Sequence, residues 1–253
     1  MLQKAKLSTA NEFSLAGFEI LRDVPRDVVH ALARQCQFRL YRANQTVLQY
    51  CDDSRDVFFV ISGKVCAIYH SLQGRDIRFG DLRIGEIFGE LAAIDGQPRS
   101  ADIVALSDSV LAMMPEFVFK DAIDTCRPFA AAIMRRLAAK VRAISERVTE
   151  LSTLSVRSRV HAELLRLSRT GRLDRNSVII SPRPTHADLA SRISTQREAV
   201  TRELNHLAWA CLVQRQGANL VVRDLGALVK MLSNESGFNS AQHAQHFHYS
   251  LNI

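Results

Sequence analysis

Between Phe88 and Ala101 the chain reads FGELAAIDGQPRSA, a stretch with four polar groups of complementary chemistry. Gly89 and Glu90 stand at one end, Arg99 and Ser100 at the other, with a short apolar run and an Asp-Gly-Gln-Pro turn between them. If a short helix begins at Glu90, the backbone N–H groups of Gly89, Glu90 and Leu91 lack intrahelical partners and face an anion. Arg99 supplies the countercharge, because its planar fork of donors holds two phosphate oxygens at once, and Ser100 adds a hydroxyl or a backbone donor. Glu90, an acceptor only when ionised, suits a ribose hydroxyl. The turn returns the chain so that both ends meet one ligand. This is binding chemistry, with no bond made or broken.

The elements that position these groups follow from the pattern on either side. From Thr46 to Met114 short runs of Val, Ile, Phe and Tyr alternate with turn residues, as in DVFFVISGKVCAIYH and RSADIVALSDSVLAMMP. That rhythm predicts a small antiparallel roll or barrel, preceded by a helix over RDVVHALARQC. Between Ala130 and Ser155 the pattern changes. Ala130, Met134, Leu137, Val141, Ile144, Val148 and Leu151 follow at steps of four and three, with Arg, Lys and Glu elsewhere. A stripe that narrow on one long helix suits a partner helix, and so predicts a parallel homodimer.

From Arg157 onward the spacing predicts an amphipathic helix closed by Gly171, then two short helices, PTHADLASRI and TQREAVTREL, joined by a turn at Ser194. A hairpin, CLVQRQGANLVVRD, follows with Gly217 near its tip. Two helices, a turn and a wing make a winged helix-turn-helix. Thr185 is placed to cap the first helix and touch a phosphate. Thr195 and Glu198 fit a capping box at the start of the second. Gln196, Arg197, Glu198 and Arg202 project from its first two turns, where Arg pairs with guanine and Glu accepts from the cytosine amino group. Leu189, Ala190, Ile193, Val200 and Leu204 read as core. Ser194 in a left-handed turn costs on the order of 1 kcal/mol relative to Gly.

Charge supports the same division. Arg157 to Lys230 holds 13 Lys/Arg against 6 Asp/Glu, while the remainder holds 20 of each, so the whole +7 excess lies in this block. Such asymmetry is the footprint of a domain that meets a polyanion. The five cysteines (Cys36, Cys51, Cys66, Cys126, Cys211) are widely spaced with no Cys-x-x-Cys pair, which argues against a disulfide framework, a zinc site or an iron–sulfur cluster. No run approaches the roughly 20 apolar residues of a membrane span, and MLQKAKLSTANEF lacks the apolar segment of a secretory signal, so a cytoplasmic location is expected. The tail from Ser233, with His243, His246 and His248, is polar and aperiodic and reads as a loosely ordered segment without a metal. Paired carboxylates at metal-ligand spacing, a nucleophile motif and Gly-x-Gly-x-x-Gly are all missing, so no enzyme is expected.

FGELAAIDGQPRSA closely resembles the phosphate-binding cassette of cyclic-nucleotide-binding domains. Roll, long helix and winged helix-turn-helix together resemble the Crp-Fnr family of bacterial transcription regulators, from about Phe18 to Lys230. The resemblance implies an α+β chain: an arm over 1–17, a cyclic-nucleotide-binding β-roll of jelly-roll (double-stranded β-helix) form over 18–127, a dimerisation helix over 128–156, a winged helix-turn-helix over 157–232 and a flexible tail over 233–253. It implies that Phe88, Gly89, Glu90, Leu91, Arg99, Ser100 and Ala101 hold a cyclic nucleotide. In cyclic AMP-responsive relatives a Thr-Ser pair on the dimer helix reaches the base; here Ile144 and Ser145 stand there, so cyclic AMP, cyclic GMP or both remain open. Arg197, Glu198 and Arg202 resemble a recognition helix for a palindromic TGTGA-like site in double-stranded DNA, with RNA polymerase as a further partner. Two alternatives stand beside this reading: a regulator of the same family that needs no nucleotide, and a regulatory subunit outside transcription.

Overall fold

The computed structural model describes residues 15–70, 76–169, 171–174 and 176–236, so the arm up to residue 14 and the tail histidines lie outside the described residues. The chain divides into two compact units, Met1–Arg142 and Ala143–Ile253.

The first unit opens on a short 3-10 turn, Glu19–Leu21, followed by α1 (Arg26–Gln35), whose Val29 and Leu32 face the core, and continues into eight strands. These are β1 (Gln37–Tyr41), β2 (Thr46–Leu48), β3 (Val57–Ser62), β4 (Lys64–His70), β5 (Asp76–Arg83), β6 (Ile87–Phe88), β7 (Asp102–Ala105) and β8 (Ser109–Met114), with α2 (Glu90–Asp95) between β6 and β7. They form two four-stranded antiparallel sheets, ordered β1-β8-β3-β6 and β2-β7-β4-β5. Each sheet takes strands from both halves of the sequence, as in a jelly roll. Between the sheets Tyr41, Phe58, Val60, Val65, Phe88, Ile103 and Leu111 are buried together. Of these eight strands, β1 alone lies outside the Thr46–Met114 region expected from sequence.

A second apolar cluster lies on the other face of β3 and β8. There α3 (Glu116–Thr125) and the first turns of α4 (Arg127–Thr153) cover Val57, Phe59, Ala112 and Met114. Phe129 is fully buried, with its ring edge-on to Phe119 at 5.7 Å. Ala132 and Ile133 are buried beside it, and Leu137 packs partly on the same cluster. The first turns of the long helix thus belong to the roll. The rest of the stripe stays open: Met134, Val141, Ile144 and Val148 are each more than half exposed.

The second unit holds the end of α4, then α5 (Val156–Ser168), β9 (Arg172–Asp174), β10 (Ser177–Ile180), α6 (His186–Arg192), α7 (Arg197–Trp209), β11 (Val213–Gln216), β12 (Asn219–Val222) and α8 (Leu225–Ser236). The β11–β12 hairpin turns at Gly217 (φ +57) and joins β10 and β9 in a four-stranded antiparallel sheet ordered β11-β12-β10-β9. Val160, Leu164, Leu189, Val200, Leu207, Val222 and Leu228 form its core. The helix α8 runs to Ser236, and Ser233 Oγ donates to the Val229 carbonyl at 3.0 Å, so the first residues expected in the loose tail are helical.

Replacing Phe129 by Ala should cost about 3–5 kcal/mol, whereas Phe117→Ala, at a ring that is largely exposed, should stay within about 0.5 kcal/mol. Urea unfolding of the full chain followed by circular dichroism measures both.

Candidate functional site

The strand β6 delivers the chain to Gly89, whose φ of +84° and ψ of 0° turn it sharply into α2. Only Gly adopts this conformation at little cost. Arg99 returns to the same place and is buried, at 3% exposure. Its Nε donates to Ser54 Oγ at 3.1 Å, Nη1 to the Gly89 carbonyl at 2.9 Å and Nη2 to the Asp56 carbonyl at 2.8 Å. Its backbone is bridged too: Arg99 N donates to the Asp52 carbonyl, and Cys51 N to the Arg99 carbonyl, each at 2.9 Å. The loop from Cys51 to Asp56 therefore grips Arg99 from both ends. Burial lowers the guanidinium pKa from its ordinary value, opposed by the negative charges of Asp56, Asp52 and Glu90. A guanidinium stays charged under such conditions. Of its five N–H donors, these three bonds use three.

Glu90, the first residue of α2, is 1% exposed. Its Oε1 accepts from Lys140 Nζ on α4 at 2.5 Å. Its Oε2 is buried without a hydrogen-bond partner among the described residues. One helical turn before Lys140, Arg136 Nη2 donates to the Ile87 carbonyl at 2.6 Å. Two basic side chains of α4 thus hold the start of the cassette. Sequence reasoning named neither, although a basic pair four residues apart beside the apolar stripe was the available signal. An orphaned buried acceptor costs about 1–3 kcal/mol. A sugar hydroxyl donating to Oε2 removes that cost, so the residues present fit a ribose phosphate.

The remaining cassette residues divide. Ser100 and Leu91 are exposed and Ala101 is half-buried. The Phe88 ring lies in the roll core, stacked on Phe58 with centroids 5.1 Å apart. Ile144 and Ser145 fall in the second unit, both exposed, with Ile144 on the open apolar stripe.

In the second unit Thr185 caps α6 in a complete capping box: its hydroxyl accepts from Asp188 N, and the Asp188 carboxylate accepts from Thr185 N. Ser194 has a φ of +52°, the left-handed turn expected, and Thr195 N donates back to the Ala190 carbonyl at 3.0 Å. Arg159 of α5 fastens the turn by donating to the Ile193 carbonyl at 2.8 Å. The Thr195–Glu198 capping box does not form. The turn places the N-cap one residue later, at Gln196 in extended backbone, and the residue three further on is Ala199, which has no acceptor. Glu198 is thereby released to solvent with Gln196, Arg197 and Arg202, while Val200, Glu203, Leu204 and Leu207 on the opposite side of α7 are buried.

Two ionic clusters brace this unit. Glu163 of α5, 1% exposed, meets Arg147 of α4 at 3.1 Å, Arg192 of α6 at 3.4 Å and Arg166 in close contact. Arg166 also holds both Glu150 oxygens at 2.7 Å, and these carboxylates outweigh desolvation and raise its pKa. Glu203 of α7 bonds buried His161 at 2.7 Å and Arg157 at 3.3 Å. No helix among the described residues is long and apolar enough to cross a membrane.

A Cβ on residue 89 would lie 2.7 Å from Arg99 Nη1 and 2.8 Å from the Asp56 carbonyl, whereas one on Gly85, at φ +89°, meets nothing within 4 Å. Both Gly→Ala changes carry a backbone strain of roughly 1–2 kcal/mol. Gly89→Ala should cost about 1–3 kcal/mol beyond that, because the guanidinium must leave its place. Chemical denaturation of the two variants side by side isolates the difference.

Comparison with known proteins identifies both domains. Residues 38–126 match the cyclic nucleotide-binding domain, and residues 158–231 match the Crp-like helix-turn-helix domain. The cyclic AMP receptor protein of Thermus thermophilus is 31% identical over 210 residues, 81% of this chain and 91% of that protein. The cAMP-activated global transcriptional regulator Vfr of Pseudomonas aeruginosa is 26% identical over 195 residues, 76% of this chain and 91% of its own length. Among solved structures, a CooA variant from Carboxydothermus hydrogenoformans superposes with a TM-score of 0.71 at 17% identity, covering 90% of this chain and 98% of that one. The regulator CLP of Xanthomonas campestris gives a TM-score of 0.69 at 20% identity, covering 78% and 99%. With a cyclic-nucleotide-binding roll ahead of a Crp-like helix-turn-helix, this chain belongs to the Crp-Fnr family of transcription regulators.

Proposed function

We propose that the protein is a homodimeric regulator whose cassette captures a cyclic nucleotide, cyclic AMP first and cyclic GMP second, and that capture favours its grip on a palindromic, TGTGA-like DNA site. The observation that carries this reading is the buried, unpartnered Oε2 of Glu90, next to Gly89 and linked through it to Arg99. In it, Glu90 accepts from the ribose hydroxyl, the first N–H groups of α2 and the free donors of Arg99 face the phosphate, and Ser100 adds its hydroxyl. Cyclic AMP stands first because the Thermus and Pseudomonas relatives are named for it. The exposed run Met134, Val141, Ile144 and Val148 supports pairing through α4, which sets two recognition helices about 34 Å apart on DNA. The nucleotide acts only through its differential affinity for the DNA-competent state. RNA polymerase is the further partner and the cytoplasm the compartment of this reading.

A second reading, a regulator that needs no nucleotide, is favoured by one observation: Arg99 already spends three hydrogen bonds inside the protein. Isothermal titration separates the two. Wild type should bind cyclic AMP, and Arg99→Ala and Glu90→Gln should each weaken binding at least tenfold. Equal binding heats from all three would overturn the cassette assignment, and absence of binding by wild type would establish the nucleotide-free reading instead. On the DNA side, Arg197→Ala should relax base choice at one half-site position, at a cost of about 1–3 kcal/mol. Selection from a random-sequence pool reads this out, and a uniform loss across sequences would make Arg197 a backbone contact. Val148→Asp should shift the sedimentation coefficient towards the monomer.

A further inference from the structure

His186 is the first residue of α6 and is half-buried. Its Nδ1 lies 2.7 Å from Thr201 Oγ1 on α7, and that hydroxyl donates its single proton to the Arg197 carbonyl at 2.9 Å. The hydroxyl must therefore accept from the ring. His186 Nδ1 carries the N–H, and Nε2 is left as the basic nitrogen, without a hydrogen-bond partner among the described residues.

The charged groups acting on the ring are Arg183, from the segment before α6, and Arg197, the first residue of α7. Both are cations. Partial burial first, and these two guanidinium groups next, hold the imidazole below its ordinary pKa. Asp188, on the same helix, has its carboxylate occupied by Thr185, whose N–H and hydroxyl donate to it at 3.0 and 2.7 Å. The backbone of Arg183 is fixed in turn, because its N–H donates to the Ala218 carbonyl beside the wing tip at 2.8 Å. Arg183 and Arg197 thus act on a ring at the start of α6, and burial first, then these two cations, favour its neutral form. An anion brought to this place reverses the balance, favouring the imidazolium.

We propose that His186 is a DNA-backbone contact that engages phosphate as the imidazolium, so that gripping the duplex takes up a proton from solvent at Nε2, which then donates to a phosphodiester oxygen. The proposal rests on reading α7 as the DNA-recognition helix. The sign follows from linkage. A group protonated more in the complex than in the free protein makes binding tighter at low pH, and the gain is lost as pH rises through the pKa of the complex. Burial and the two arginines hold the free ring below its ordinary value and a bound phosphate would raise it, so the dependence lies between the free and the complexed pKa. The contact carries no base information, being made to phosphate.

The test uses the full chain with excess cyclic AMP and a fluorescent random-sequence duplex, at fixed ionic strength, between about pH 6 and pH 8. Wild-type affinity should fall about three- to tenfold per protomer across this range. His186→Gln, whose amide still reaches Thr201 but does not ionise, should bind weakly with that part of the slope removed. His186→Arg should bind tightly, with the same part of the slope removed. Calorimetry in buffers of different ionisation enthalpy should find proton uptake in wild type that is reduced in both variants. An unchanged slope and proton uptake in His186→Gln would overturn the proposal alone. Failure of wild type to bind duplex at any pH would overturn the DNA-reading assignment of α7, and this proposal with it.

Discussion

A charged guanidinium enclosed in the roll is the constraint around which the first unit is arranged. Removing such an ion from water costs several kcal/mol unless acceptors surround it. Arg99 finds Ser54, two backbone carbonyls and the field of Asp52, Asp56 and Glu90. Each partner is thereby fixed in place. The carbonyl of Gly89 must turn towards the guanidinium, which requires the positive φ, and that turn aims the first amides of α2. The loop from Cys51 to Asp56 must close over Arg99, and two backbone bridges hold it there. The shape of the cassette is in this sense a by-product of solvating one buried cation.

The helix α4 divides its surface among several tasks. Phe129, Ala132 and Ile133 anchor it to the roll, and Arg136 and Lys140 hold the cassette. Met134, Val141, Ile144 and Val148 of its apolar stripe are exposed, and in the second unit Arg147 and Glu150 enter the cluster around Glu163 and Arg166. The buried carboxylate of Glu163 joins three arginines from α4, α5 and α6, and a group of that kind tolerates few alternative arrangements.

Much of this was legible in the sequence because the signals were local. Gly89, Glu90 and Arg99 lie within one short cassette, the roll strands alternate, and the helix-turn-helix keeps its apolar spacing. Partners distant in sequence were not legible. Lys140 meets Glu90 across 50 residues, and Ser54 meets Arg99 across 45; nothing in either segment announces the other. The strands β9 and β10 were missed because each is only three or four residues long. The capping box at Thr195 failed for a reason of geometry: composition marks Thr and Glu at the right spacing, but the left-handed Ser194 decides where the helix starts. His186 escaped notice because its role depends on Thr201 and two arginines brought beside it only by folding.

The basic block of the second unit is less free than its charge suggests. Arg157, Arg159, Arg166 and Arg192 are all engaged inside the unit, by Glu203, the Ile193 carbonyl, Glu150 and Glu163. Such residues displace few condensed counterions when a duplex arrives, since their charge is already compensated. The ionic-strength sensitivity of a DNA complex would therefore be smaller than the full basic count implies, since these four add little to it. Four of the thirteen basic residues of this block thus act as internal mortar, holding the unit together from within.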